Sequence, residues 1–138
     1  MSSNKHLARE WALKFLYQCE MEKLFFFSEA KLHEFAKIQK IPNEISDLTL
    51  SLVKGTFDKL SQLDEEIGKT SANWTLDRIS IIDKSILRLA LNELLFTETP
   101  PKVILNEAIE LAKAFGSEHS SKFINGILDT LARKSGKV

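Results

Sequence analysis

Cysteine is almost missing from these 138 residues. The one thiol, Cys19, has no partner for an internal disulfide, which points to a reducing compartment. Proline and glycine are scarce as well, at three and five, which excludes collagen-like and low-complexity chains. Net charge is absent. Nineteen Lys and Arg balance nineteen Asp and Glu, so the chain does not coat nucleic acid by bulk charge, although a local basic face is allowed. No apolar run approaches the roughly 20 residues of a membrane-spanning helix. Lys5, Arg9, Glu10 and Lys14 also interrupt the stretch where a secretion signal needs an apolar core. The three histidines, His6, His33 and His119, fall in three different segments, and no Cys-x-x-Cys, His-x-x-x-His or Glu-x-x-His pair is present to nucleate zinc or di-iron ligation. Glu29 and His33, four apart, read as a solvated surface pair. Lys54-Gly55-Thr56 lacks the upstream glycine of a phosphate loop. These absences predict a cytoplasmic, single-domain protein of residues 1–138 that is not an enzyme and holds neither metal nor cofactor.

What remains is helical pattern from end to end, in a chain that is 43% hydrophobic and 28% charged. Leu7, Ala8, Trp11, Ala12, Phe15, Leu16 and Cys19 recur at helical spacing over about Lys5–Glu22. A second segment, about Ser28–Gln39, carries Leu32, Phe35 and Ala36 on one side. A third stripe runs from Pro42 to Ser71, with an interruption expected at Gly55 or Gly68. From Asp77 to Thr97 the chain is apolar nearly all round, with a narrow polar strip through Lys84, Arg88 and Asn92. Such a helix forms the buried centre of a domain. Pro100-Pro101 opens an amphipathic helix with Ile104, Ala108, Leu111, Ala112 and Phe115 inward, and Gly116 closes it. Ser117 is placed to cap the last helix, which carries Ile124, Ile127, Leu128 and Leu131. The prediction is an all-α fold of six or seven helices.

Two features of charge stand out. Arg88 and Glu107 sit in or beside apolar faces and read as a structural ion pair between helices, a role that suits the planar guanidinium fork, the alternative being a ligand-binding carboxylate. The net charge is also unevenly spread. Asn43–Glu66 holds six acids against two bases, whereas Lys113–Val138 holds five bases against two acids. With Lys5 and Arg9, these bases would make one modest positive face if the first helix packs beside the last two. That face would include the Phe115-Gly116-Ser117 turn, where a helix N-terminus offers N–H groups to a phosphate, and Phe123, whose ring could stack on an unpaired base. The alternative reading of the same residues is a rim phenylalanine among ordinary solvated lysines.

Three ordered motifs carry a resemblance. They are the string Ile82-Asp83-Lys84-Ser85-Ile86-Leu87-Arg88-Leu89-Ala90-Leu91-Asn92-Glu93-Leu94, then Pro101-Lys102-Val103-Ile104-Leu105-Asn106-Glu107-Ala108 running on to Phe115-Gly116, then Ser121-Lys122-Phe123-Ile124-Asn125-Gly126-Ile127-Leu128-Asp129. With Ala8-Arg9-Glu10 and Leu16-Tyr17-Gln18 near the start, the chain closely resembles the NusB family of bacterial transcription antitermination factors. The match is dense over Asp77–Asp129 and the first helix, and only pattern and spacing agree from Met21 to Asn73.

The resemblance implies an all-α fold of two helical subdomains without enzymatic activity. It also implies binding of the single-stranded boxA element of ribosomal RNA leader transcripts together with NusE, a ribosomal small-subunit protein, in an antitermination complex with RNA polymerase. The same fold occurs appended to an rRNA cytosine methyltransferase family, and 138 residues leave no room for that part. The family's RNA surface carries over to Lys5, Arg9 and Tyr17, then to Lys113, Phe115, Gly116 and Ser117, then to His119, Lys122 and Phe123. Asn4-Lys5-His6-Leu7 departs from the arginine cluster usual at this point, which removes phosphate contacts and predicts weak RNA binding without NusE. A helical scaffold that binds NusE and leaves RNA to it is the competing reading. Monomer and homodimer are both open.

Overall fold

The computed structural model of the chain describes residues 3–71 and 75–137, and among these all regular structure is helical. It comprises seven α-helices and one 3₁₀ turn: α1 (Asn4–Met21), α2 (Glu29–Ile38), α3 (Asn43–Asp58), α4 (Leu60–Thr70), the turn Leu76–Arg78, α5 (Ile81–Phe96), α6 (Pro101–Phe115) and α7 (Ser120–Lys134). The chain divides into two compact units, Met1–Asp58 and Lys59–Val138.

In the first unit, α1 starts where Ser3 accepts a hydrogen bond from the His6 N–H at 3.1 Å, and α2 where Ser28 accepts from Lys31 at 3.2 Å. Each bond satisfies one of the amide groups that a helix start leaves without an intrahelical partner. Both helices end without glycine. Lys23 and Lys40 take φ of +58° and +55°, and the bonds Leu24 N–H to Cys19 O and Ile41 N–H to Ala36 O close the reverse turns behind them. Helix α1 packs along α3. The buried side chains of the unit include Ala8, Ala12, Leu13, Phe15 and Leu16 of α1, Leu32 and Phe35 of α2, and Ile45 and Val53 of α3. Phe35 meets Phe15 edge-on, with ring centroids 5.2 Å apart, an arrangement favoured by the ring quadrupoles. The Thr49 hydroxyl is buried 2.9 Å from the Ile45 carbonyl and 3.3 Å from the Ala8 carbonyl, so this hydroxyl is not stranded where α3 meets α1.

The long stripe expected from Pro42 to Ser71 breaks at Lys59 and at neither glycine. Lys59 leaves the helical region at φ −114°, ψ 13°, a conformation any residue reaches, while Gly68 lies inside α4 with open space about its Cβ position. In the second unit, α5 packs against α4, α6 and α7 and is buried continuously from Lys84 to Leu94. The all-round apolar pattern therefore marks a central helix, as expected. Its start lies at Ile81, with Ser80 accepting from Asp83 N–H at 3.2 Å, and the residues from Asp77 belong instead to the preceding 3₁₀ turn. Pro101 occupies the first turn of α6, where its missing N–H costs nothing. Gly136 takes φ +77° after α7, and the Lys137 ammonium donates to the Leu94 carbonyl near the end of α5.

Candidate nucleic-acid interface

The sequence-derived contact residues divide between the two units, Lys5, Arg9 and Tyr17 in the first and the other seven in the second. In the second unit they gather on one short stretch, the last turn of α6, the turn after it and the first turn of α7. Lys113, Ser117, His119 and Lys122 are exposed, and Phe115, Gly116 and Phe123 are half-buried. Exposed lysines and two partly exposed rings on one short stretch suit a single strand, whose phosphates attract the lysines and whose bases stack on aromatic faces.

The turn itself is tightly built. Gly116 is extended at φ −94°, ψ −171° and donates its N–H to Ala112 O. A Cβ there would lie 2.5 Å from Ser120 Oγ and 2.8 Å from that same Ala112 carbonyl, so close approach, rather than an unusual φ, requires glycine. Ser117 does not cap α7 in the expected way, because the helix begins three residues later with His119 at the cap position and no side-chain cap bond. The Ser117 N–H instead donates to Ser120 Oγ at 2.9 Å. The first turn of α7 carries no acidic residue, and its dipole favours an anion. Glu118, the acid nearest in sequence, lies 3.1 Å from His119 in a pair that is more than four-fifths exposed on both sides and therefore worth little.

In the first unit the outcome is mixed. Lys5 and Tyr17 are exposed, and twelve residues of helix set them about 18 Å apart along its axis. Tyr17 borders an open groove of about 420 Å³ between α1 and α2, whose walls include Trp11, Lys14, Met21 and Phe35. The Lys14 ammonium stands 4.5 Å from the centre of the Trp11 ring, within cation–π range. Sequence reasoning missed this groove, although Trp11, Lys14 and Tyr17 at three-residue intervals were its signal. Arg9, in contrast, is 4% exposed. It shares the buried side of α1 with Ala8, Ala12, Leu13 and Leu16, so it is less accessible to a surface ligand than Lys5 or Tyr17.

Arg88 is buried on α5, and its partner on Nε and Nη2 is Asp64 of α4, at 2.7 and 2.9 Å. This bidentate pair ties two helices of the second unit together and was not among the sequence-derived candidates. Glu107 is half-buried on α6. Cys19 is buried, and burial pushes its thiol up to about 11, which suits a structural thiol rather than a nucleophile. Among the described residues, no group of three or more His, Cys, Asp or Glu is placed to hold a metal, and no helix is long and apolar enough to cross a membrane.

A model of the NusB family matches residues 6–133. A transcription antitermination protein NusB from Anaeromyxobacter dehalogenans (strain 2CP-1) is 42% identical over 132 residues, covering 96% of this chain and 92% of the relative. Another, from a Nitratiruptor species, is 38% identical over 134 residues, with 96% and 94% covered. Among solved structures, T. maritima NusB superposes with a TM-score of 0.82 at 33% identity, over 97% of this chain and 94% of the other. A chain in a crystal structure of antitermination factors NusB and NusE in complex with dsRNA shares the fold, with a TM-score of 0.83 at 23% identity over 97% and 99% of the two chains. The Phe-Gly-Ser turn, the buried α5 and the three ordered motifs thus sit within a matched lineage, and the chain belongs to the NusB family.

Proposed function

We propose that this chain is a cytoplasmic transcription antitermination factor that acts by binding rather than by catalysis. In this reading it holds single-stranded boxA RNA of rRNA leader transcripts jointly with NusE, so that RNA polymerase reads through terminators. The observation that carries the proposal is the α6–α7 turn. There exposed Lys113, His119 and Lys122 share one short stretch with half-buried Phe115 and Phe123, at a helix start free of acid in its first turn. The family's named antitermination proteins support the same role, and the fold is shared with a NusB crystallised with NusE and dsRNA. Tyr17 and the groove beside it give the first unit a stacking platform of its own.

The cations are few. With Arg9 buried, Lys5 is the exposed base left among the first nine residues, so affinity for RNA alone is expected to be low and NusE is expected to supply the rest. The same burial favours the second reading, a scaffold that binds NusE and leaves the RNA to it. A fluorescence anisotropy titration of labelled boxA RNA, with and without NusE, at two salt concentrations, separates them. The adaptor reading expects binding that tightens with NusE, prefers boxA over a scrambled strand and weakens with salt, with a slope of about 0.7 per phosphate neutralised on a single strand. NusE binding without any RNA preference would leave only the scaffold.

A further inference from the structure

We propose that Ser120 is a positioning residue for the RNA contacts of the α6–α7 turn, acting through its buried hydroxyl and touching no RNA itself. The inference rests on the RNA-binding function proposed above. Ser120 is 2% exposed, so it offers nothing to a ligand directly. Its Oγ instead receives the Ser117 N–H at 2.9 Å and lies 3.2 Å from the Ser117 hydroxyl, while the Ser120 N–H returns to the Ser117 carbonyl at 3.1 Å. Two residues three apart are thereby clasped by both backbone and side chain.

The position of that hydroxyl depends on Gly116. The space a side chain would take there is already filled by Ser120, whose Oγ and Cβ stand 2.5 and 2.6 Å from where a Cβ would be. Gly116 and Ser120 thus form one interlocking unit. Gly116 admits the hydroxyl, and the hydroxyl fixes the direction in which the chain leaves α6. Ser117 and His119 are carried on the clasped segment, and Lys122 and Phe123 follow on the first turn of α7. An orienting bond of this kind works as supporting interactions do in other sites: it leaves the contact residues in place and removes their freedom to point elsewhere.

The test uses the full chain with NusE and labelled boxA RNA. Ser120→Ala deletes the acceptor and keeps a small side chain. We expect the Ser117 amide to exchange with solvent faster and boxA affinity to fall about tenfold, the scale of one missing orienting hydrogen bond. The salt slope should flatten by about 0.7 for each phosphate that is no longer neutralised. NusE affinity without RNA is expected to stay the same, which a general loss of structure would not allow. Fast Ser117 exchange with unchanged boxA affinity would overturn the proposal. A parent protein that shows no boxA preference with NusE present would instead sink the RNA-binding function itself.

Discussion

Replacing Asp64 by alanine is expected to be among the costliest substitutions outside the apolar core. The carboxylate accepts two hydrogen bonds from Arg88, at 2.7 and 2.9 Å, and the side chains are 9% exposed on the Arg88 side and 23% on the Asp64 side. Both bonds are charge-assisted, and the guanidinium end lies on a helix buried from Lys84 to Leu94. Removing one partner of a buried pair costs about 3–5 kcal/mol. The partial exposure of Asp64 lets water reach the gap, so the lower end applies, about 3 kcal/mol, or a fall of roughly 12 °C in Tm at about 4 °C per kcal/mol. Urea denaturation of Asp64→Ala at 25 °C, followed by far-UV circular dichroism, measures the loss directly. Because the pair is largely removed from solvent, the loss should persist in roughly 0.5 M salt, where exposed pairs are screened. The double replacement Asp64→Leu with Arg88→Met should recover most of the stability, since an apolar pair of similar volume avoids desolvating two charges. A loss below about 0.5 kcal/mol, or one that vanishes with salt, would show that the pair behaves as a surface ion pair and would refute the reasoning.

Four further outcomes follow from the same structure. Lys23→Gly should stabilise the protein by about 0.5–1 kcal/mol, because Lys23 holds φ +58°, a left-handed conformation that costs a side-chain-bearing residue about 1–2 kcal/mol, partly offset by the greater freedom of unfolded glycine; thermal melts would read it as a Tm a few degrees higher. Cys19, pushed up from 9.0 to about 11 by burial, should react with a thiol reagent at about pH 8 roughly a hundredfold more slowly than a thiol of ordinary pKa. Because the folded thiol is the weaker acid, its protonated form contributes stability that is full below about pH 9 and is lost as pH rises towards about 11, which urea midpoints across that range would track. Charge reversal at Lys113 and Lys122, both exposed, should weaken boxA binding and flatten its salt dependence by about 0.7 per phosphate no longer neutralised while leaving NusE affinity unchanged, as measured by anisotropy and by calorimetry respectively.

Much of this molecule is written in local sequence. The helices, their buried faces and the stops at Gly116 and Gly136 follow from residues within one or two turns of each other, because a helix repeats about every 3.6 residues and its hydrogen bonds close over four. The central helix was legible for the same reason, since a segment apolar on nearly every side is driven to the interior wherever it lies in the chain. The motifs at Phe115-Gly116-Ser117 and Lys122-Phe123 were equally visible, and the structure sets them on one turn. Other features had no local signal. Arg88 reads as an ion-pair residue, but Asp64 lies 24 positions earlier, and which acid a buried guanidinium meets depends on how two helices rotate against each other. Arg9 looks like a free cation until the rotation of α1 carries it to the buried side. Lys23 and Lys40 end their helices where glycine is usual, because reverse-turn bonds to Cys19 and Ala36 hold the strained backbone in place. Ser120 acquires its role only from the 2.5 Å approach to the Gly116 position. The sequence by itself therefore determined which segments are helical, which faces they bury and to which lineage they belong, all of them local or summed properties. The tertiary structure alone decided which polar side chains are paired, hidden or presented, because that depends on the relative azimuth of packed helices, a quantity no single stretch of sequence contains.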